Sequence, residues 1–390
     1  MTQTPTFPEP KKPLCVLPFI HAELDPSDRC RPCCAYHYDY GKEWPVHRFE
    51  EWWKTGLSEL REDMLAGRKN PGCARCWRDE EVGVSSYRQI TNANWEKYQY
   101  IQEPLERPVF LMLGIGNYCN IKCIMCSPFK STKWTDEYEK NLDKFKAINF
   151  TFDGYPRGFW SEPEKVRPLL ASISQDAEML HFSGGEPLLT PEYRLVLESV
   201  ANPSETQLNI NTNLTVLSET WIELLKKFKT RINLSLEGIG EKNDYIREGS
   251  DWTTIEQNYR RLQAAGIDVS ISHAFSRTSL YALPELLYWC LDSGIDDINY
   301  NWLQWPSCME LQGAPIEDRQ QFIDEIYKFV DYRNANYPER TWPVDFPKAW
   351  IEQLKILPYD EKKDRDFWKY IDLLDELHDK NFRTIFAITP

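Results

Sequence analysis

The chain shows a clear change in the pattern of its hydrophobic and polar positions at about residue 105. From there onward, short apolar runs alternate with longer stretches whose apolar residues recur at helical spacing. Such alternation predicts an α/β fold in which helices cover a parallel sheet. The predicted strands are 109–113, 178–182, 207–211, 231–236, 268–272 and 297–302.

Several helices between these strands have recognisable ends. Ser218 is placed to cap a helix over 219–228, and Thr253 to open one that Gly266 closes. Pro284 is predicted to start a further helix that stops at Gly294.

The two flanking regions have different patterns. Residues 14–104 are rich in cysteine, tryptophan and turn residues and lack the strand and helix alternation. Residues 311–390 show helical periodicity over 316–335 and 364–380, with proline-rich links around Pro338, Pro343 and Pro347. We therefore expect three regions, 1–104, 105–310 and 311–390.

Composition narrows the class of protein. The chain has 390 residues, of which 42% are hydrophobic, so it can bury a large core in more than one domain. It has no apolar run long enough for a bilayer, and residues 1–13 lack the apolar segment of a signal peptide, which predicts a cytoplasmic protein without a membrane partner. The net charge of −14 argues against a nucleic-acid partner, because phosphate binding depends on Lys and Arg.

Three closely spaced cysteines follow the first predicted strand. Cys119, Cys123 and Cys126 have C-x3-C-x2-C spacing, with no fourth cysteine nearby. A structural zinc site normally has four side-chain ligands, whereas an iron-sulfur cluster held by three thiolates leaves one iron open. A zinc site with a distant ligand and a set of unrelated buried thiols remain alternatives.

A second motif follows the strand over 178–182. Gly184-Gly185-Glu186-Pro187 stands just before a helix start at Thr190-Pro191. Two glycines at a strand end allow a ligand close to the backbone, and the glutamate is then expected to face the same rim as the cysteine loop.

Together, the three-cysteine loop and the Gly-Gly-Glu-Pro motif resemble those of the radical S-adenosylmethionine (SAM) superfamily. The resemblance implies a partial (β/α)6 TIM-like barrel with its chemistry at the C-terminal strand ends. It also implies that Cys119, Cys123 and Cys126 carry the catalytic [4Fe-4S] cluster, whose open iron takes the amino and carboxylate groups of SAM. An electron from a flavodoxin- or ferredoxin-type donor then releases a 5′-deoxyadenosyl radical, which abstracts a substrate hydrogen atom.

Further SAM contacts are implied by the same resemblance. Asn211-Thr-Asn-Leu214 is similar to a Thr-Asn-Gly motif, with Leu214 in place of glycine, and Ser235-Leu-Glu-Gly238 is similar to a Ser-Leu-Asp-Gly motif. Arg247 stands where family members hold the SAM carboxylate, and Met125 stands where many have an aromatic residue against adenine. The expected SAM-binding residues are Gly184, Gly185, Glu186, Pro187, Thr212, Asn213, Ser235, Arg247 and Met125.

The N-terminal cysteines form a second candidate site. A C-x2-C pair with two upstream cysteines has the ligand count of a closed four-thiolate site, for which zinc is one alternative. The pattern resembles the SPASM/twitch-type domain of radical SAM enzymes such as an aminocyclitol dehydrogenase, which carries an auxiliary [4Fe-4S] cluster. By that resemblance, and counting from Asp28 in place of a turn glycine, the ligands are Cys15, Cys33, Cys73 and Cys76.

Some assignments in this region stay open. Cys34 is the alternative to its neighbour Cys33, Cys30 is expected to be a spare thiol, and the twitch-like segment precedes the barrel instead of following it. Cys308 is either a hydrogen donor to a substrate radical or an inert buried thiol.

The expected reaction is oxidation of a small polar substrate, such as a sugar or cyclitol, with the auxiliary cluster taking up the electron of the substrate radical. One alternative is a radical SAM maturase that modifies a peptide. An alternative from another class is a non-catalytic iron-sulfur protein that transfers electrons or serves as a scaffold.

Overall fold

The computed structural model describes residues 12–37, 43–340 and 348–388. The start of the lead-in, as well as Pro343 and Pro347, lies outside these ranges. The strands are β1 (His21–Asp25), β2 (Arg29–Arg31), β3 (Phe110–Gly114), β4 (Met179–Ser183), β5 (Gln207–Thr212), β6 (Lys229–Ser235), β7 (Asp268–Phe275) and β8 (Ile298–Trp302).

The α-helices are, in chain order, α1 (Leu17–Ile20), α2 (Phe49–Glu51), α3 (Ser58–Ala66), α4 (Ala74–Glu81), α5 (Tyr87–Asn94), α6 (Thr132–Lys140), α7 (Leu142–Ala147), α8 (Pro163–Ile173), α9 (Pro191–Ser199), α10 (Glu219–Leu225), α11 (Gly240–Ile246), α12 (Trp252–Ala264), α13 (Ser279–Ser293), α14 (Ile316–Asn336), α15 (Lys348–Ile356), α16 (Glu361–His378) and α17 (Phe382–Ile385).

The predicted α/β fold with a mostly parallel sheet is confirmed. Each predicted strand corresponds to one of β3 to β8, with ends that differ by at most three residues. The strands β1 and β2 were not predicted, because their short runs carry Arg and Asp among the apolar residues. The pairs β1–β3, β3–β4, β6–β7 and β7–β8 are parallel, and β1 pairs with β2 in the antiparallel direction.

Helix starts were predicted less well than helix ends. Ser218 does cap α10, since its side chain accepts from the N–H of Trp221. The cap of α12 is Asp251, not Thr253, and α13 begins at Ser279, so that Pro284 lies inside it. A proline removes one intrahelical donor, but the buried apolar face of α13 stabilises the turn that precedes it.

Contacts between residues divide the chain into two compact units. The first comprises residues 1–116, 158–184 and 191–208. Within it the strand order is β2-β1-β3-β4, with His21 opposite Phe110 and Phe110 opposite Met179. The cysteine-rich N-terminal segment therefore contributes strands to the sheet that contains β3, and the unit does not end at the predicted boundary of 104.

The second unit comprises residues 117–157, 185–190 and 209–390. Its strands β6, β7 and β8 are paired in parallel in that order. Aromatic side chains of α6, α7, α16 and α17 form one buried cluster, and the segment Ile124–Cys126 packs against it. The C-terminal helices thus belong to the same packed unit as the cysteine loop. The division into three regions by role stays a prediction.

No helix in the described ranges has the length and apolar character needed to cross a membrane.

Candidate active site

The backbone of the cysteine loop is held by hydrogen bonds from three surrounding segments. The N–H groups of Lys122 and Ile124 donate to the carbonyls of Glu248 and Ile246, both at 2.8 Å. The loop carbonyls accept from side chains: Ser131 Oγ to Ile121 at 2.7 Å, Trp134 Nε1 to Cys123 at 2.7 Å, and the Tyr370 hydroxyl to Ile124 at 2.6 Å. These partners satisfy the backbone polar groups of the loop and hold its conformation.

The three thiols of this loop share a desolvated environment. Burial raises the pKa of Cys119 to about 12 and also raises those of Cys123 and Cys126. Cys126 raises the pKa of both other thiols, which shows that the side chains lie near one another. Metal binding requires thiolates, so a cationic iron centre would supply the stabilisation that water does not.

Across residues 12–37, 43–340 and 348–388, no group of three or more His, Cys, Asp or Glu side chains is arranged to hold a single metal ion. Three cysteine thiolates are the donor set of a [4Fe-4S] cluster with one open iron, whereas a structural zinc site normally has four side-chain ligands.

The Gly-Gly-Glu-Pro motif needs both of its glycines. Gly184 has φ of +104°, and a Cβ there would lie 3.1 Å from the Cα of Gly114. A Cβ on Gly185 would lie 2.0 Å from the carbonyl oxygen of Tyr118, which leaves no room for a side chain. This close approach lets the Glu186 N–H donate to the same carbonyl at 2.6 Å, one residue before Cys119.

The Glu186 carboxylate is buried in a cradle of donors. Its Oε1 accepts from the Thr212 hydroxyl at 2.6 Å and from the Leu188 N–H at 3.0 Å, and its Oε2 accepts from the Asn213 N–H at 2.8 Å. Burial raises the pKa of Glu186, whereas these hydrogen bonds act in the opposite direction. The structure thus brings together Glu186, Thr212 and Asn213, which the sequence resemblance placed in one SAM site.

Asn213 connects this cradle to the cysteine loop. Its Nδ2 donates to Asn120 Oδ1 at 3.2 Å and lies 3.9 Å from Cys119 Sγ. The next residue, Leu214, has φ of +54° and is fully buried. Left-handed backbone at this position explains why glycine suits it, and leucine accepts that conformation at a cost of about 1–2 kcal/mol.

Arg247 forms a buried ion pair that the sequence did not predict. Its Nη2 donates to Glu237 Oε1 at 3.0 Å, its Nε donates to Oε2, and its Nη1 lies 3.5 Å from Cys123 Sγ. Burial disfavours the charged form of the guanidinium, but the nearby carboxylate of Glu237 keeps the pKa of Arg247 above its usual value. Two donors of the guanidinium are thus engaged by Glu237, and Nη1 faces the predicted cluster.

Glu237 was missed as a site residue, although it lies inside the quoted Ser235-Leu-Glu-Gly238 motif. It is fully buried, and its Oε1 also accepts from the Ala274 N–H at 3.1 Å. An acidic residue ten positions before a predicted functional arginine was the signal available in the sequence. All of the predicted SAM contacts stay predictions. Among them, Met125 packs partly buried against the aromatic cluster.

The first unit brings together the predicted auxiliary ligands. Cys15, Cys33, Cys73 and Cys76 line one small apolar cavity together with Tyr36, Tyr87 and Arg88. Cys34 is exposed and does not line this cavity, and the Cys30 thiol lies 3.9 Å from the carbonyl of Pro45. Burial raises the pKa of Cys15 and of Cys73 to about 12. Four desolvated thiols around one cavity form a donor set that fits an auxiliary cluster.

Asp28 has the backbone conformation expected for a residue that replaces a turn glycine. Its φ is +62°, and its Oδ1 accepts from the N–H of Val46 at 3.1 Å. Asp tolerates left-handed backbone better than most residues, because its short side chain can hydrogen-bond locally.

Comparison with known proteins identifies the domain. Residues 113–277 match the family model described as the radical SAM superfamily. Residues 113–277 form a radical SAM domain. This confirms the predicted radical SAM enzyme at the level of the superfamily, which implies a SAM-bound [4Fe-4S] cluster.

Similar curated proteins cover part of the chain. An uncharacterized protein of Methanocaldococcus jannaschii is 23% identical over 241 residues, which cover 57% of this chain and 72% of that protein. A GTP 3′,8-cyclase of Psychromonas ingrahamii is 21% identical over 243 residues, which cover 60% of this chain and 61% of the cyclase.

Two solved structures also share similarity with this chain. Native anSMEcpe with bound AdoMet has a TM-score of 0.41 at 14% identity, over 59% of this chain and 62% of that chain. Streptococcus suis SuiB bound to the precursor peptide SuiA has a TM-score of 0.40 at 15% identity, over 75% of this chain and 65% of that chain.

Proposed function

We propose that this protein reductively cleaves SAM and oxidises a small polar substrate, with a second [4Fe-4S] cluster in the N-terminal cavity as electron acceptor. The observation that carries the proposal is the Glu186 cradle, which Asn213 connects to Cys119. A non-catalytic iron-sulfur protein would have no use for a buried carboxylate held in this way beside a cluster loop.

Glu186 is suited to receive the ammonium group of SAM. An ionised carboxylate has about four acceptor positions, and three of them are taken by Thr212, Leu188 and Asn213. The remaining capacity is available to a cationic donor, and the three fixed donors hold the carboxylate in one orientation. A charge-assisted hydrogen bond of this kind contributes about 1.5–3 kcal/mol.

Arg247 is suited to act on both the cluster and SAM. Its positive charge beside Cys123 lowers the cost of ionising that buried thiol. Glu237 holds the guanidinium through Nε and Nη2, and Nη1 lies 3.5 Å from Cys123 Sγ. The second N–H of Nη1 is suited to the SAM carboxylate, together with the Ser235 hydroxyl.

When bound, the cluster and SAM supply one-electron reduction and the removal of a hydrogen atom from a C–H bond. Cys119, Cys123 and Cys126 would hold this cluster. The contribution of the chain is to keep its loop fixed and largely desolvated, so that the reacting groups meet in one geometry.

Cys15, Cys33, Cys73 and Cys76 would hold the second cluster. Removal of a hydrogen atom leaves a substrate radical, and its oxidation requires a one-electron acceptor. The four thiols around one cavity support this assignment. The same thiols would also suit a structural zinc ion, so metal analysis is needed to decide between the two.

The test of SAM cleavage uses the anaerobically reconstituted protein with dithionite and SAM. We expect methionine and 5′-deoxyadenosine from the wild type and neither from Cys126→Ala. Cys290→Ala is the matched control, because Cys290 is a fully buried thiol in the last turn of α13. Absence of cleavage by a wild type that carries its clusters would refute the proposed function.

The test of the second cluster uses the double variant Cys73→Ala with Cys76→Ala. We expect about eight irons in the wild type and about four in this variant, since each cluster holds four. SAM cleavage should continue while substrate oxidation stops. Stoichiometric zinc in the wild type would exclude a redox role for this site. Product formation at the wild-type rate by a folded double variant that lacks the second cluster would exclude it as well.

A further inference from the structure

A cavity of about 420 Å³ lies next to the cysteine loop in the second unit. Its walls come from residues 148–152, residues 305–308 and the first half of α16. Its volume falls within the range of small-molecule sites, which is roughly 300–1,000 Å³. No predicted ligand of a cluster or of SAM lines it.

One wall is a stack of aromatic rings that reaches the cysteine loop. Trp305 stacks on Phe150 with ring centroids 5.8 Å apart, and Phe150 stacks on Tyr370 at 4.7 Å. The Tyr370 hydroxyl then donates to the carbonyl of Ile124, at 2.6 Å, within the cysteine loop. Trp305 is 45% exposed, so part of its indole remains accessible to a ligand ring.

The lining residues from α16 include three basic side chains. Lys362, Arg365 and Lys369 are spaced along one face of α16, and Asp366 is the single acidic residue in the lining. Three cations against one carboxylate form a local excess of positive charge in a chain whose net charge is −14.

The carboxylate partners of these cations are exposed in the case of Glu361 and half-buried in the case of Asp366. Lys362 and Lys369 lie 2.9 and 3.9 Å from Asp366, and Arg365 lies 2.6 Å from Glu361. The three basic side chains are 79%, 60% and 57% exposed in that order. Ion pairs with this exposure contribute little, so an anionic ligand can replace the carboxylates at small cost.

We propose that this cavity binds a planar ring that carries a phosphate or a carboxylate, as the anionic end of the substrate. The ring would stack on Trp305, and the anion would be bound by Lys362, Arg365 and Lys369. The identification of this ligand as part of the substrate rests on the proposed function, whereas the binding site itself does not. A neutral sugar would offer no anionic group to these three basic side chains.

The experiment measures binding to the anaerobically reconstituted protein by isothermal titration calorimetry. The probes are phenyl phosphate, benzoate, phenol and inorganic phosphate. We expect phenyl phosphate or benzoate to bind at least about tenfold more tightly than phenol, because charge-assisted hydrogen bonds are lost in phenol. Comparison of the two aromatic anions shows which anionic group the site prefers.

Variants then locate the bound probe. Lys369→Met should weaken binding of the aromatic anion several-fold, and the triple variant Lys362→Met, Arg365→Met, Lys369→Met by tenfold or more. Lys328→Met is the matched control, since Lys328 is an exposed lysine of α14 paired with Glu325 outside the cavity. Trp305→Ala should reduce the affinity for phenyl phosphate to that for inorganic phosphate, whereas Trp305→Phe should keep most of the difference.

Two results would overturn the inference: equal affinity for phenol and the aromatic anions, or unchanged affinity in the triple variant. SAM cleavage is measured in the same samples to separate this inference from the proposed function. Binding at the cavity without SAM cleavage would refute only the proposed function. SAM cleavage by a protein that binds none of the probes would refute only the cavity inference.

Discussion

Glu186→Gln tests the SAM site most directly. The substitution keeps the size of the side chain but removes the negative charge predicted to bind the SAM ammonium. The loss of one charge-assisted hydrogen bond, about 1.5–3 kcal/mol, corresponds to a roughly 10- to 150-fold increase in the dissociation constant for SAM. The cluster should remain, because its cysteines are unchanged.

The same variant carries a stability cost that can be worked from its contacts. All three neighbours of the Glu186 carboxylate donate hydrogen bonds, two to Oε1 and one to Oε2. A glutamine amide presents an NH₂ group on one side, so at least one donor then faces another donor. A buried donor without an acceptor costs about 1–3 kcal/mol, which should lower the unfolding free energy.

The pH dependence provides an independent check. Burial raises the pKa of Glu186. Since SAM should bind the ionised carboxylate, its affinity should increase as pH rises through this raised pKa and level off above it. Glu186→Gln should remove this dependence.

The assay is equilibrium binding of SAM to anaerobically reconstituted protein across pH, with iron and sulfide analysis of each sample. Glu192→Gln is the matched control: Glu192 is a buried carboxylate of α9 paired with Arg167 at 3.0 Å, within the first unit. It should lose stability without losing SAM affinity. An unchanged dissociation constant in a folded Glu186→Gln protein with full iron content would refute the assigned role.

Substitutions at three further positions test the residues that support the site. Gly185→Ala places a methyl group 2.0 Å from the Tyr118 carbonyl, so it should displace the cysteine loop and lower the iron content after reconstitution. Leu214→Ala should lower the unfolding free energy, measured with denaturant, by about 2–5 kcal/mol. L214G should lower it by no more than Leu214→Ala does, because glycine adopts the left-handed backbone conformation of this position without strain. Tyr370→Phe leaves the buried Ile124 carbonyl without its donor, so it should lower the unfolding free energy by about 1–3 kcal/mol. The variant should also lose iron to a chelator faster than the wild type. Unchanged iron retention would show that the cysteine loop does not depend on this hydrogen bond.

The hydrophobic pattern was sufficient to predict β3 to β8, because strand and helix periods are local properties of the chain. The motif residues Glu186, Thr212 and Asn213 were also predicted from sequence, and the structure brings them into hydrogen-bonding contact. Each stands at a strand end, where parallel strands deliver their following residues to one edge.

What sequence alone did not reveal depends on residues far apart in the chain. The donation from Tyr370 to Ile124 spans 246 positions. The pairing of β1 with β3 joins a polar five-residue strand to a segment nearly ninety residues later, and no local pattern marks β1 as the partner of β3. The Glu237–Arg247 pair is close in sequence, yet only burial makes it significant, since an exposed pair of the same residues would contribute little. Local sequence therefore determined the elements and the motifs, whereas tertiary packing decided which side chains were desolvated and which of them met.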